Sequence, residues 1–367
     1  MRSIQAVIPT TFQGIGYTRS QGGLPLQAVT VPVPRPAADQ VLIQVAASSL
    51  NPLEYKLAEL NFFGRTPPVI LGFDLAGIVV ARGEQVGGLA IGDEVTAMAD
   101  SNGDGGWAEG GNGGYALARA FLTVKKPPSL GFRDAATLPI CFLAAYQGLQ
   151  GNVRAGDTVY IPGGAGGVGH LAIQMAARAL GAARVISSGS TPDSMALARS
   201  SGAHPVFDYK RDDVNAEIFR LTGGKGVDLV FDPTYNEAGF VETAKTVRAG
   251  GTWVVLGVGP GKTTRTSETQ SPVDAILAER GVRQVNANLL RYFAEPATLD
   301  TAAQAFLQLG LTRAMAWAVE GRVVPHVGKT IDSTVDAINA ELQAMKSGKG
   351  PLGKVAVIVD RRIAQGG

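Results

Sequence analysis

Along the first 125 residues, short apolar runs are set off by glycine and proline. Val41-Leu42-Ile43-Gln44-Val45 follows a turn rich in proline (Pro32, Pro34, Pro36) and reads as a strand. The runs 77–81 and 93–97 read likewise, each with glycine nearby. The stretch 100–114 carries seven glycines, too many for a helix, and predicts a loop that is mobile or shaped by a ligand.

The pattern changes near Pro127-Pro128. Short apolar strands at 157–161, 184–187, 205–207, 227–231 and 252–256 then alternate with segments of helical period at 168–180, 194–201, 214–221 and 237–247. Such alternation with short links predicts an α/β fold with a doubly wound parallel sheet. A long helical stretch follows at 302–317, where Phe306, Leu309 and Trp317 make a stripe that reads as core. A helix at 335–345 and a strand at 353–359 close the chain.

Length and composition narrow the class. A chain of 367 residues suits two domains of ordinary size. With 45% hydrophobic and 17% charged residues it buries enough surface to fold. The balance of 33 basic against 31 acidic residues gives no electrostatic footprint for nucleic acid. The longest apolar stretch, 138–149, is too short to span a bilayer, and no apolar leader follows Arg2. The expectation is a soluble, cytoplasmic protein. One cysteine, Cys141, excludes an intrachain disulfide framework and a four-cysteine zinc site, and reads as a small buried hydrophobe.

The most informative segment is Gly163-Gly164-Ala165-Gly166-Gly167-Val168-Gly169. It places glycines at a G-x-x-G-x-x-G spacing between a strand and a helix. Glycine lets the backbone approach a pyrophosphate, and the helix N-terminus offers N–H groups and partial positive charge. An NAD site wants an acid at the end of the next strand. Ser187-Ser188-Gly189-Ser190-Thr191 has none and leaves room for a 2′-phosphate, so NADPH is the expected cofactor. Asp193 reads as a helix-start residue.

With these residues in place, the chain resembles the medium-chain dehydrogenase/reductase superfamily, and within it the zinc-free quinone oxidoreductase and enoyl reductase branch. Asn51-Pro52-Leu53-Glu54-Tyr55-Lys56 resembles N-P-x-D-W-K, and Leu71-Gly72-Phe73-Asp74-Leu75-Ala76-Gly77 resembles L-G-x-D-x-A-G. Gly92-Asp93-Glu94-Val95, Gly113-Gly114-Tyr115-Ala116 and the helix from Leu138-Pro139 to Leu149 add further matches. The resemblance implies a GroES-like β-barrel catalytic domain at 1–130 and 322–367, a Rossmann nucleotide-binding domain at 131–321, and an active site in the cleft. Zinc-dependent members place Cys where Asn51 stands and His where Phe73 stands; His170, His204 and His326 lie apart in the sequence, so no metal is expected.

The resemblance also nominates residues. Lys56 becomes a donor to the nicotinamide ribose or the substrate oxygen, the alternative being a solvated lysine. Tyr55 becomes a proton donor or a packed ring, and Asn51 a hydrogen-bonding group or a turn residue. Ser187, Ser188, Ser190, Ser194 and Tyr209 fall at the adenosine end. Ser194 stands where the branch often has Lys, so Ser190, Lys210 or Arg211 would compensate. Leu256-Gly257-Val258 is expected under the nicotinamide, and Tyr146 and Cys141 near it, with Ala144 where Thr is common. Lys354 matches a C-terminal G-K-[IV]-V and reads as structural. The expected activity is hydride transfer to an α,β-unsaturated carbonyl or a quinone. The alternatives are a trans-acting enoyl reductase on a carrier-bound acyl chain and a non-catalytic dinucleotide-binding protein. The strand candidate 282–289 carries few charges and points to a homodimer.

Overall fold

The structure is a computed structural model that describes residues 8–19, 23–61, 63–100, 110–256, 272–289, 292 and 299–365. Gly257, Val258 and most of the glycine-rich stretch (101–109) lie outside the described residues. Contacts group the chain into two units. One is Met1–Ile140 with Phe293–Met315 and Val327–Gly367; the other is Cys141–Tyr292 with Ala316–His326. The sequence-based boundaries fell at 130/131 and 321/322.

The first unit is mainly antiparallel. A seven-stranded sheet runs Val327–Asp332, Lys354–Ile358, Gln40–Leu50, Asp74–Arg82, Glu94–Met98, Thr123–Lys125, with Tyr115–Arg119 also pairing with Gln40–Leu50. Gln40–Leu50 is almost wholly buried, as a strand covered on both faces must be, and its apolar run agrees with that. Its core includes Val41, Ile43, Leu75, Val79 and Val95. A smaller sheet orders Gln27–Pro32, Thr11–Tyr17 and Val69–Ile70.

The second unit is the expected parallel sheet. Its order is Val206–Asp208, Arg184–Gly189, Thr158–Pro162, Val227–Asp232, Val247–Leu256, Arg283–Ala287. Every pairing in it is parallel. The order reverses between Thr158–Pro162 and Val227–Asp232, the switch point where such folds bind ligands. Trp253 and Phe240, stacked edge-on at 5.6 Å between centroids, anchor one side of its core. The helix opened by the glycine loop runs Gly167–Gln174 and widens into a π turn over Met175–Ala179.

One sequence expectation is corrected. The long helix Thr301–Val319 buries Leu307, Leu311, Ala314 and Met315, not a stripe through Leu309, which is 46% exposed. The i, i+4, i+7, i+8 spacing of that buried set defines the packed face. Trp317 does pack, against the rings of Phe142 and Tyr146.

Candidate functional site

In the second unit the loop after Thr158–Pro162 is shaped by glycine. Gly163 has φ 64°, a left-handed conformation that favours glycine. A Cβ on Gly164 would meet Ser187 Oγ at 2.2 Å, and one on Gly169 would meet the Gly163 carbonyl at 2.4 Å, so both serve close packing. Gly166 differs. It is exposed, and a Cβ there would find only the Gly163 carbonyl, at 3.5 Å. Gly166 also caps the helix Gly167–Gln174 without any side-chain partner for the first N–H groups. An uncapped N-terminus beside an open glycine fits a pyrophosphate.

His170, fully buried, braces this turn. Its Nδ1 lies 2.8 Å from the Gly166 carbonyl, and its Nε2 accepts the His326 N–H at 3.0 Å. Accepting at Nε2 fixes the neutral tautomer with the proton on Nδ1. Gln174 adds a second tie, exchanging hydrogen bonds with the backbone of Val324 at 2.9 and 2.8 Å. The sequence separates His170 and His326; the structure sets their rings 6.5 Å apart. Among the described residues no group of three or more His, Cys, Asp or Glu is placed to hold a metal ion.

The serines expected at the adenosine end divide. Ser187 donates to the Ile161 carbonyl at 2.7 Å, and Ser188 pairs with Tyr160 at 3.1 Å, both buried inside the sheet. Burial pushes the Tyr160 phenol up to about 12. Ser194 Oγ accepts the N–H groups of Ser190 and Thr191 at 3.2 and 3.1 Å, which holds the turn into the helix Pro192–Ser201. Tyr209 is exposed, and its N–H donates to the Gly189 carbonyl at 3.1 Å, which sets Tyr209, Lys210 and Arg211 beside the strand end. Asp193 lies in the first turn of the helix and not at the strand end. Leu256 ends its strand, buried.

In the first unit the structure gathers a buried polar cluster from three sequence-distant segments. Asn51 stands at the start of the helix Pro52–Leu60, and its N–H donates to Glu54 Oε2 at 2.6 Å. Asn51 Nδ2 donates to Asp74 Oδ2 at 2.9 Å, while Asn51 Oδ1 accepts from Lys354 Nζ at 2.6 Å. Lys354 also reaches Asp74 Oδ2 at 3.2 Å, with side-chain exposures of 2% and 0% for the pair. Ser49 and the Ile140 N–H complete the bonds to Asp74. Glu54 is fully buried, and that burial pushes its carboxyl up to about 7, with Lys354 opposing the shift. Phe73 is buried and carries the Arg65 guanidinium over its ring at 5.4 Å.

Lys56 and Tyr55 are half-buried on the same helix. Tyr55 lies near the Glu59–Lys346 ion pair; burial, then Glu59, push its phenol above the usual value. The cluster therefore takes Asn51 but not Tyr55. Sequence reasoning missed Glu54, although an Asn-Pro-Leu-Glu start, with an acid three residues after the cap, is the signal for it.

Comparison with known proteins follows this division. The family model for an alcohol dehydrogenase GroES-like domain matches residues 37–128, and that for a zinc-binding dehydrogenase matches residues 167–304. The chain is 34% identical over 238 residues to a quinone oxidoreductase of Rattus norvegicus, covering 64% of this chain and 69% of that protein. It belongs to the medium-chain dehydrogenase/reductase superfamily, in the quinone oxidoreductase branch. A 2-methylene-furan-3-one reductase of Solanum lycopersicum is 35% identical over 256 residues; the match takes in 68% of this chain and 63% of that relative's length. Among solved structures, an alcohol dehydrogenase superfamily protein of Novosphingobium aromaticivorans matches with a TM-score of 0.79 and 29% identity, over 96% of this chain and all of that one. Membership in the superfamily makes the two units a GroES-like domain and a Rossmann-like nucleotide domain. One of the matching family models is named for zinc, whereas Asn51 and Phe73, set against the resemblance's expectation of zinc ligands, are neither Cys nor His.

Proposed function

We propose that the chain is a zinc-independent, NADPH-dependent reductase of α,β-unsaturated carbonyls or quinones. The observation that carries this reading is the chemistry at the zinc-ligand positions. Asn51 and Phe73 are poor metal ligands, and the Asn51 oxygen is already bound to the Lys354 ammonium. Oxidising an alcohol in this superfamily relies on a Lewis acid to polarise it. An activated double bond needs none, because its own carbonyl takes up the charge.

The nucleotide unit supports the cofactor half. Gly166 and the uncapped N–H groups of Gly167–Gln174 receive the pyrophosphate. The strand Arg184–Gly189 ends without an acid, and Tyr209, Lys210 and Arg211 stand beside it to take a 2′-phosphate. When bound, NADPH supplies a hydride from its nicotinamide. For an α,β-unsaturated carbonyl the hydride would go to the β-carbon, negative charge would develop on the carbonyl oxygen, and a proton at the α-carbon would complete the product. Lys56 is the donor assigned to the ribose or to that oxygen. Asn51, with both ends of its amide engaged by Asp74 and Lys354, is a positioning residue that fixes the start of the helix bearing Lys56.

Steady-state oxidation of NADPH against a quinone, an alkenal and an enoyl thioester, with an alcohol plus NADP in reverse, tests the reading. Turnover of quinone or alkenal supports it. Turnover confined to the alcohol overturns it, and turnover confined to the thioester moves the substrate to a carrier-bound chain. Titration should show NADPH binding at least about tenfold tighter than NADH, roughly 1.4 kcal/mol; equal affinity would remove the cofactor assignment.

A further inference from the structure

The strand Val227–Asp232 lies on the far side of the switch point from the strands that carry the adenosine-end residues. At its carboxyl end the chain turns through Pro233, Thr234 and Tyr235. Tyr235 adopts φ 55°, the left-handed region. Asn61 is the other non-glycine residue there among those described, and Asn tolerates the conformation; a bulky aromatic residue does not.

A buried network enforces the turn. Asp232, fully buried, accepts the Thr234 N–H at 3.0 Å and the Thr234 hydroxyl at 2.6 Å on Oδ1. Its Oδ2 accepts the Thr243 hydroxyl at 2.8 Å, and that hydroxyl in turn accepts the Trp253 indole N–H at 3.2 Å. The turn also abuts the glycine loop: a Cβ on Gly163 would lie 3.1 Å from Thr234 Cγ2. Tyr235 is half-buried as a residue, and its phenol is desolvated, which with the nearby Cys141 pushes it far above the usual value. It stays protonated and able to donate at any ordinary pH.

A turn that merely ended a strand would be easier to build with glycine at this position. Strain held in place by a buried carboxylate, beside a ligand loop, points to function. The direction follows from the sheet. A dinucleotide with its adenosine over Arg184–Gly189 and its pyrophosphate at Gly163–Gly166 extends its other half across the switch point, toward the end of Val227–Asp232. We propose that Tyr235 is a cofactor-contacting residue whose hydroxyl hydrogen-bonds the nicotinamide-side half of the bound dinucleotide. The proposal rests on the NADPH-binding reading above.

The test compares wild type, Tyr235→Phe and Tyr235→Gly in two titrations, with NADPH and with adenosine 2′,5′-bisphosphate, which lacks the nicotinamide half. Loss of one neutral hydrogen bond should weaken NADPH binding by about five- to tenfold in both variants. Adenosine 2′,5′-bisphosphate should bind all three proteins within about twofold. NADPH affinity unchanged in Tyr235→Phe overturns the proposal. So does an equal loss for both ligands, which would mark a general disturbance of the nucleotide unit. If wild type binds adenosine 2′,5′-bisphosphate but the variants keep NADPH, Tyr235 alone is excluded; if wild type binds neither, the NADPH reading itself fails and takes this proposal with it.

Discussion

Glu54 shows how much a single buried group can decide. Its carboxyl is raised from 4.5 to about 7 chiefly by burial. The folded chain thus holds that proton more tightly than the unfolded chain. The contribution to stability is complete below about pH 4.5 and is lost as pH rises through about 7, roughly 3 kcal/mol at most. Glu54→Gln keeps an acceptor for the Asn51 N–H but has no proton to lose. The variant should therefore gain on wild type between pH 5 and pH 8, about 2 kcal/mol or more by thermal or urea unfolding. A difference that does not change with pH would show that Glu54 titrates normally in the fold. Lys56, two positions on, is the residue on which turnover is expected to hang. A charge-assisted donor to a developing oxyanion is worth roughly 2–4 kcal/mol, so Lys56→Ala should lower kcat/KM by about 30- to 1,000-fold with the thermal midpoint unchanged. A loss seen only as weaker NADPH binding would assign it to the ribose, and a change under about twofold would make it a solvated lysine.

The element that carries the cofactor reading, the glycine loop, splits into positions with opposite expectations. Gly164→Ala drives a methyl against Ser187 Oγ and Ile173 Cδ1, at 2.2 and 2.5 Å, and should cost about 1–3 kcal/mol of stability by overpacking. Gly166→Ala adds only an ordinary contact with the Gly163 carbonyl, at 3.5 Å, and φ is −74°, so the fold should survive while NADPH affinity falls at least about tenfold. Paired thermal melts and titrations separate the two; a stable Gly164→Ala, or a Gly166→Ala that binds NADPH normally, would reverse the assignment. The loop and its parallel sheet were legible because the strands, Arg283–Ala287 apart, are short apolar runs between turn signals. Thr11–Tyr17 was not legible, because Gly14 and Gly16 break its pattern. A Cβ on Gly16 would strike the Val69 carbonyl at 1.7 Å, so that glycine answers to a neighbouring strand that local sequence does not show. Val327–Asp332 was missed for a different reason: it is largely exposed and carries no apolar run. The candidate site divides the same way. Asn51 could be nominated from a local motif, whereas the Lys354 ammonium that binds it comes from about 300 residues away, and only the sheet register that sets Val355 opposite Leu50 brings the two together.

At the scale of the whole molecule, the six-stranded sheet has two unequal edges. Val206–Asp208 is short and ends among charged residues, Asp208, Lys210, Arg211 and Asp212, which discourage pairing. Among the described residues Arg283–Ala287 is the opposite edge, with Val247–Leu256 as its neighbour. Its one charge does not guard it. The Arg283 guanidinium turns back to Asn152 Oδ1 at 2.7 Å and Thr252 Oγ1 at 3.2 Å. Gln284 and Asn286, both exposed, are uncharged. An unguarded outer strand offers its backbone N–H and C=O groups to a second copy, and a twofold axis satisfies both copies with one junction. A homodimer joined through Arg283–Ala287 is therefore expected, with a mass by light scattering of twice the 38.0 kDa chain at micromolar concentration. Asn286→Lys sets like charges against each other across that junction and should shift the population to monomer without lowering the thermal midpoint of the chain itself. Wild type running at 38.0 kDa would rule the dimer out, and a dimer indifferent to Asn286→Lys would place its junction on another surface.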